Sequence, residues 1–218
     1  MNRPLQLNLN WKMSVFSSVC LIGFICLGFW QLERADEKVE LLKRHEARIN
    51  QAPLSSAELL KLSEAVDGLP VKLSGNYQAQ PALLRDNVVL GGRVGFEVLQ
   101  VFTDSATNQA FLVDRGFVPM AATRLIRPLI PPTDRGELNL QGHVYVSTAV
   151  DAQFGAGELV DELGIVQSTD PLILDRVLNM TLYPHLIRLV AEDPFALPRY
   201  WIVTTVSPDK HMGYAVQW

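Results

Sequence analysis

The chain has 218 residues, a formal net charge of −4 at pH 7 and an isoelectric point near 5.6. It offers no basic surface able to displace counterions from a phosphate backbone, and this excludes nucleic-acid binding as its role. Its two cysteines, Cys20 and Cys26, lie in one apolar stretch near the amino terminus, so the rest of the chain has neither a disulfide nor a thiol nucleophile.

The first predicted element is a membrane helix. Residues 13–30 (MSVFSSVCLIGFICLGFW) contain no charged side chain. A helix of this length, rising about 1.5 Å per residue, spans most of a bilayer core about 30 Å thick. Trp11 and Trp30 stand at its two ends, where indole rings favour the boundary between membrane and water. We predict a transmembrane helix over residues 13–32.

The charges before this helix predict its orientation. Arg3 and Lys12 precede it and no acidic residue does, so we expect residues 1–12 to stay in the cytoplasm and the main domain to face the other compartment. A cleaved signal peptide is the rival interpretation. The long apolar run and its exit through residues 28–31 (GFWQ), which lacks a cleavage site between small residues, favour an uncleaved anchor.

A charged helical stalk is predicted after the anchor, over residues 33–50. Acidic and basic side chains are interspersed there without proline, and Pro53 then ends the helix. Residues 55–58 (SSAE) follow with the capping-box pattern that begins a short helix. We expect this short helix to end at Gly68, a residue suited to a left-handed cap.

Residues 51–210 are predicted to form one β-rich domain. From Pro70 onward, apolar and polar side chains alternate with the period of two that half-buried strands show. A helix interrupts the strands at residues 171–182, where Asp170 can cap it and Pro171 can occupy its first position. The predicted fold is a membrane-anchored α+β protein whose mainly antiparallel sheet is curled or closed as a barrel. Strands are expected at residues 71–75, 82–90, 96–103, 111–118, 138–147, 186–190 and 200–206.

None of the usual catalytic patterns is complete in this sequence. Residues 91–95 (GGRVG) are rich in glycine, but strand-like residues follow where a phosphate-binding loop requires a helix, so a hairpin turn is the better interpretation. Asp114 and Arg115 are compatible with a charged pair in a cleft, but a salt bridge at a strand end is more common and is the interpretation we favour. We predict that the protein is not an enzyme. An exported hydrolase would need a nucleophile and a convergent base, and no such pair is found.

The last residues, 211–218 (HMGYAVQW), have the composition of a segment next to a membrane: aromatic, small and amide side chains. His211 is compatible with two interpretations. In the first, it is a histidine at the membrane interface that has no functional role. In the second, it is an axial ligand of a haem iron, a role suited to a neutral imidazole near an apolar boundary. The residues alone leave both interpretations open.

Three segments occur in an order and spacing that agree with one known family. Residues 28–34 (GFWQLER) are similar to its G-x-W-Q-x-x-R, residues 113–119 (VDRGFVP) to its V-N-R-G-W-V-P, and residues 211–218 to its H-x-x-Y-A-x-x-W. The chain therefore resembles the surfeit locus protein 1 family of cytochrome c oxidase assembly factors, in a bacterial form. Two departures are mild: Phe117 replaces a tryptophan, and Asp209 stands where asparagine is frequent.

The resemblance implies a periplasmic domain held between two membrane helices in the bacterial inner membrane. Residues 211–218 would begin the second helix, which breaks off after Trp218. Either the sequence is a piece of a longer protein, or this is a variant whose haem site is incomplete.

The resemblance also implies a haem a site. The family's proposed iron ligand matches His211, while Tyr214 and Trp218 would line the macrocycle or its interface. Arg115 or Arg85 is assigned to a haem propionate on charge alone.

The function implied by the resemblance is oxidase biogenesis. The protein would bind haem a, work beside the haem a synthesis machinery in membrane lipid, and assist haem insertion into oxidase subunit I. The alternative is a haem-free scaffold that holds subunit I during assembly through its edge strands and its stalk. The type of oxidase and the oligomeric state are left open by the sequence.

Overall fold

The structure is a computed structural model of the 218-residue chain. It describes residues 10–63, 66–134, 136–147, 163–199, 201, 203–204 and 206–218. The chain divides into two compact units. We call Met1–Glu46 together with Ile202–Trp218 the helical unit and Ala47–Trp201 the barrel unit, and each is described by itself.

The helical unit is built on one long helix, α1 (Trp11–Ile49), which runs for 39 residues. No proline interrupts this part of the sequence, so the apolar stretch and the charged stretch after it form one continuous helix. The apolar side chains of its first half are exposed, among them Phe16, Ile22 and Ile25, as expected of a surface that contacts lipid. By length and composition α1 is able to cross a membrane, and the predicted amino-terminal apolar helix is confirmed.

One face of α1 is more shielded from solvent than the rest. Its positions recur at alternating intervals of three and four residues, which keeps them on one side of a helix. The only fully buried residue among them is Ala35, with 4% of its surface exposed. The positions are Gly28, Gln31, Ala35, Lys38, Leu42, His45 and Ile49.

The barrel unit holds the described strands, which form one eight-stranded sheet. The strands are β1 (Leu54–Ser55), β2 (Pro70–Tyr77), β3 (Leu83–Leu90), β4 (Arg93–Asp104), β5 (Ala110–Pro119), β6 (Leu138–Tyr145), β7 (Ile165–Val166) and β8 (Leu186–Leu189). In the order β2, β6, β8, β5, β4 each strand pairs with the next, and pairing of β4 with β2 closes the ring. β3 and β7 extend the sheet beyond β4, and β1 extends it beyond β2.

Most strand pairs in this sheet are antiparallel. The parallel pairs are β1 with β2, β3 with β7, and β5 with β8. The predicted mainly antiparallel barrel is therefore confirmed. The ring encloses an apolar core because alternate residues of each strand point inward. Its buried members include Leu73, Phe102, Phe111, Val113, Leu140 and Ile187.

The hairpin between β3 and β4 turns at Gly91 and Gly92. Both residues have positive φ, 56° and 76°, as a two-residue turn of the type I′ class requires. A strand and not a helix follows them. The hairpin interpretation of this glycine-rich segment is therefore confirmed.

The predicted capping box is present at the start of α2 (Ser56–Leu59). The Ser55 hydroxyl accepts the backbone N–H of Glu58 at 3.3 Å, and the Glu58 carboxylate accepts the backbone N–H of Ser55 at 2.8 Å. The helix is shorter than expected, since it ends at Leu59. Gly68 does adopt a left-handed conformation, with φ of 77°, but in the turn that leads into β2.

The next helix, α3 (Pro171–Leu178), is capped as predicted, because the Asp170 side chain accepts the backbone N–H of Leu172 at 3.0 Å. It ends before the expected residue 182 because Asn179 takes a left-handed conformation, with φ of 50°. Leu174 of α3 is fully buried against the outer face of the sheet, beside Leu99 and Leu112.

The strand expected over residues 200–206 is wrong for the residues that the structure describes there. Residues 201, 203, 204 and 206 lie outside any strand, and residues 200, 202 and 205 lie outside the described residues. The segment is rich in β-branched and aromatic side chains, but such a preference produces a strand only where a neighbouring strand accepts the pairing.

Asp104 joins the turn after β4 to two neighbouring elements. Its side chain is almost fully buried, with 2% exposed. Oδ2 accepts the hydroxyl of Ser56 at 2.7 Å and both the backbone N–H and the hydroxyl of Thr107, at 2.9 and 2.8 Å. Oδ1 accepts the backbone N–H of Ser74 at 3.2 Å. Burial alone would raise the pKa of Asp104, but these hydrogen bonds outweigh it and lower the pKa below the ordinary 3.8.

We expect Asp104→Asn to destabilise the barrel unit by about 2–3 kcal/mol at neutral pH, because the new NH₂ group faces hydrogen-bond donors. A carboxylate whose pKa is lowered by folding stabilises the native state above its unfolded pKa. That contribution is lost as the pH falls from 3.8 through the folded value, so the difference between variant and wild type should shrink in acid.

Urea denaturation of the full chain in mild detergent, at neutral pH and at pH values below 3.8, measures this difference. Asp134→Asn makes the same chemical change at an exposed position and should leave stability unaltered. Equal stability of Asp104→Asn and the wild type at neutral pH would contradict the assignment.

Candidate functional site

The end of the chain forms a helix, α4 (Pro208–Gln217), in the helical unit. Ser207 precedes it with an extended backbone, and Pro208 occupies its first turn, where the missing N–H has no helical partner in any case. Asp209 in the same turn interacts favourably with the positive end of the helix dipole. The segment expected to begin a second membrane helix is therefore helical.

α4 lies against the apolar part of α1. Three pairs of residues face each other: Phe24 with Trp218, Gly28 with Ala215, and Gln31 with His211. The positions rise along α1 while they fall along α4, so the two helices are antiparallel. We call this arrangement, residues 24–31 of α1 with residues 211–218 of α4, the helix pair.

The first two facing pairs set how closely the helices approach. The rings of Phe24 and Trp218 are stacked, with centroids 5.9 Å apart and planes inclined by 17°. A Cβ atom added to Gly28 would lie 3.5 Å from the backbone oxygen of Ala215. The backbones therefore approach through small residues, as membrane helices commonly do.

The third pair contains the predicted ligand His211. Its Nδ1 atom lies 2.7 Å from Oε1 of Gln31. Because an amide oxygen can only accept a hydrogen bond, Nδ1 carries the hydrogen and donates it. The lone pair of the neutral ring is then on Nε2, which makes no hydrogen bond to any residue in the described part of the chain. One nitrogen anchors the ring, and the other remains able to act as a ligand.

The other predicted site residues of α4 are exposed. About half the surface of Tyr214 and Trp218 is accessible, at 47% and 48%, and Met212, which was not predicted as a site residue, is 46% exposed. Trp218 takes part in the helix pair through Phe24, while Tyr214 makes no ring contact with a described residue. The structure thus places His211 and Trp218 on the side that meets α1 and leaves Tyr214 open.

Arg115 belongs to the barrel unit and is 2% exposed. Its Nε donates to the backbone oxygen of Phe195 at 3.1 Å. Its Nη1 donates to Oε1 of Gln100 at 3.2 Å and to the backbone oxygen of Pro131 at 3.0 Å. The guanidinium also lies 5.9 Å from the ring centroid of Tyr77. Burial lowers the pKa of Arg115, against the opposing effect of Tyr77 and Asp193. These contacts give Arg115 a structural role, and its assignment to a propionate stays a prediction.

The adjacent Asp114 does not pair with Arg115, because neighbouring residues of a strand point to opposite faces. Its Oδ2 atom lies 3.7 Å from Nε of Arg188 in β8, close enough for attraction between charges but too far for a hydrogen bond. The Arg188 guanidinium lies 3.4 Å from the ring centroid of Tyr145 and 4.4 Å from that of Trp201. The interpretation of Asp114 and Arg115 as a salt bridge is therefore wrong.

Asp114 is fully buried, and burial raises its pKa well above the ordinary 3.8. The nearby Glu97 raises the pKa further, while Arg188 and the backbone N–H of Gly116 oppose the shift. Glu97 is itself held by Arg85, whose Nη1 donates to Oε2 at 3.0 Å. Arg85, the other propionate candidate, thus has a carboxylate partner within the barrel unit.

The cluster around Arg188 was not predicted from the sequence. A signal was present, since this arginine interrupts the otherwise apolar strand β8, and a cation that is largely shielded from water requires a counter-charge. The position of that counter-charge on β5 follows only from the parallel pairing of Asp114 with Arg188. We interpret the cluster as a charged part of the barrel's framework.

The residues available for metal binding limit what the site can hold. Within the described ranges, no three or more His, Cys, Asp or Glu side chains gather into a metal site. An iron already held by a macrocycle needs only one or two axial ligands from protein, and a single oriented imidazole supplies one.

The chain was also compared with models of protein families. The model described as the SURF1 family matches residues 18–218, nearly the whole chain. The matched range contains both members of the Gln31–His211 pair and the strand with Asp114 and Arg115. A comparison with curated proteins found no match.

Proposed function

This chain belongs to the SURF1 family of oxidase assembly factors, and on that premise we propose that it binds haem a at the helix pair and assists its insertion into oxidase subunit I. Haem a is cargo in this proposal. The protein catalyses no reaction, and its affinity for the haem and the release of the haem supply the function. The haem a synthesis machinery and subunit I are the partners that such a cargo requires.

The observation that carries the proposal is the environment of His211. The ring is anchored through Nδ1, and Nε2 is left without a described partner. Iron in haem is bound by such a nitrogen in many proteins. Nε2 of His211 is therefore a suitable ligand for the iron of haem a.

The surroundings of His211 suit a large planar ring with an apolar body. Trp218, directly after α4, meets α1 on the same side as the imidazole and stacks on Phe24, and Tyr214 and Met212 are exposed nearby. We propose that Trp218 and Tyr214 contact the macrocycle or the surface of the protein that receives it. Aromatic side chains give such contacts a large area at small entropic cost.

The proposed location is the bacterial inner membrane, with the amino terminus in the cytoplasm and the barrel unit in the periplasm. The long apolar helix α1 supports an anchor. The orientation is supported by Arg3 and Lys12, since basic residues before a membrane helix tend to remain on the cytoplasmic side.

The test is purification of the full-length protein from cells with active haem a synthesis. We expect the visible absorbance of haem a in the wild type and its loss in His211→Ala, because the iron then has no protein ligand. His45→Ala removes a histidine from the stalk part of α1 and should leave the absorbance unchanged. An unaltered haem a spectrum in His211→Ala would overturn the ligand assignment.

A second candidate function is a haem-free scaffold that docks on subunit I. It is favoured by the loop between β5 and β6, where Leu125, Ile126 and Leu129 are exposed by 85%, 52% and 93%. Exposed aliphatic side chains grouped in this way commonly mark a protein contact. Subunit I that co-purifies equally with the wild type, with His211→Ala and in cells without haem a would favour the scaffold.

A further inference from the structure

Gln31 is a polar residue on the shielded face of α1, and it occurs where the apolar stretch gives way to charged residues. An amide group on a membrane helix is costly unless it finds a hydrogen-bond partner. The structure gives this side chain one such partner, the Nδ1 atom of His211 at 2.7 Å. The two residues are 180 positions apart in the sequence, so the contact reflects the packing of the two helices and no local preference.

We propose that Gln31 is the positioning residue of the haem site, which fixes the tautomer and the orientation of the His211 ring so that Nε2 faces the iron. This inference rests on the proposed function only for the identity of the bound iron. The selection of the tautomer concerns the protein alone and is measurable without haem.

The hydrogen bond has two consequences for a ligand. A neutral imidazole has one protonated nitrogen, and only the other carries a lone pair in the ring plane. By holding the hydrogen on Nδ1, Gln31 keeps the lone pair on Nε2. The same bond stops rotation of the ring, so less freedom is lost when a metal binds.

The other facing pairs make this contact geometrically specific. Along α1, Gln31 follows Gly28 by about one helical turn and Phe24 by about two turns. Along the antiparallel segment, His211 precedes Ala215 by about one turn and Trp218 by about two turns. The stacked rings and the close approach at Gly28 set the spacing and register of the helices. With these fixed, the amide of Gln31 reaches Nδ1.

The acceptor is a neutral amide. Acceptors on the second nitrogen of a ligating histidine increase its basicity, and carboxylates do so more strongly than neutral oxygens. Gln31 therefore orients His211 while adding little electron density to the iron. A carboxylate at this position should strengthen the iron–imidazole bond, and removal of the acceptor should weaken it.

The first experiment uses the full-length protein without haem, labelled with ¹⁵N-histidine, in lipid nanodiscs. The ¹⁵N shifts of the His211 ring distinguish the two tautomers. We expect the Nδ1–H form in the wild type and in Gln51→Met, and a mixture or the Nε2–H form in Gln31→Met. Gln51→Met is a matched control because it makes the same substitution on an exposed residue just after α1, outside the helix pair. The same ring shifts in Gln31→Met and the wild type would overturn the inference.

The second experiment titrates the same proteins with haem a. Loss of an outer-shell partner commonly weakens metal binding by about 10- to 100-fold, and we expect this for Gln31→Met. Gln31→Glu retains an acceptor oxygen and should restore binding to near the wild-type level. Resonance Raman spectra should show the iron–imidazole stretching frequency lowered in Gln31→Met and raised in Gln31→Glu, a shift that a merely structural role would not produce.

The two proposals fail in different ways. If His211→Ala binds haem a with the affinity of the wild type, His211 is not the iron ligand and that part of the proposed function is wrong. The tautomer measurement still tests the role of Gln31 independently. If His211→Ala loses haem a but Gln31→Met keeps its affinity and frequency, only the role of Gln31 is wrong. Should Gln31→Met fail to insert, an unchanged frequency in Gln31→Glu would overturn the inference.

Discussion

Arg115→Met should destabilise the barrel unit by about 3–5 kcal/mol, the range found when one partner of a buried charged hydrogen-bond network is removed. Methionine roughly keeps the length of the side chain but offers no donor. The backbone oxygens of Phe195 and Pro131 and the amide oxygen of Gln100 would then lose their donor. These acceptors come from three separate segments, so their anchoring to β5 would be lost together.

The measurement is urea denaturation of the full-length protein in mild detergent, with the fraction of unfolded barrel read by brief proteolysis. Arg93→Met makes the same substitution at an exposed position of β4 and should change stability by no more than about 0.5 kcal/mol. A loss below about 1 kcal/mol in Arg115→Met would contradict a structural role. If the stable variant also bound haem a more weakly, the propionate assignment would be supported instead.

Gly75→Ala should destabilise the barrel unit by about 3 kcal/mol or more, because the ring closes at this residue. Gly75 of β2 is paired with Asp104 of β4. A Cβ atom at this position would lie 2.0 Å from the backbone oxygen of Thr103 and 2.9 Å from its carbonyl carbon. Both obstacles are main-chain atoms, so no side-chain rotation relieves the clash and the strands must separate.

Separation of β2 from β4 would also expose unpaired strand edges, which promote aggregation. We therefore expect a lower urea midpoint together with a larger fraction of aggregated protein in size-exclusion chromatography. Gly136→Ala is the matched control, because an added Cβ there meets no atom within 4 Å. Wild-type stability in Gly75→Ala would show that the β2–β4 pairing does not close the ring in solution.

Local patterns in the sequence predicted most of the individual elements. The uncharged run after Lys12, the capping box at Ser55 and the alternation along β2 each depend on neighbouring residues, and each is confirmed. The helix predicted to reach residue 182 ended early because Asn179 adopted a left-handed conformation, which residues such as leucine rarely take and asparagine does more often. The strand predicted over residues 200–206 is absent from the residues described there, because a strand also needs a neighbouring strand with which to pair.

Local patterns in the sequence did not predict the contacts that define the candidate site. The residue type and setting of His211 were compatible with a ligand as well as with an interfacial histidine of no function, and the family resemblance favoured the ligand. Neither indicated that the ring would be held by Gln31, because that contact depends on the packing of helices from opposite ends of the sequence. The pairing of Asp114 with Arg188 was missed for the same reason, since parallel strands joined by a long connection decide it.

The distance between Gln31 and His211 along the chain also determines when the contact can arise during synthesis. The ribosome makes Gln31 early and reaches His211 only 180 positions later. A nascent or prematurely terminated polypeptide would contain α1 but would lack the His211 ring that Gln31 holds. Translation past His211 is thus a precondition for assembling the histidine–glutamine pair.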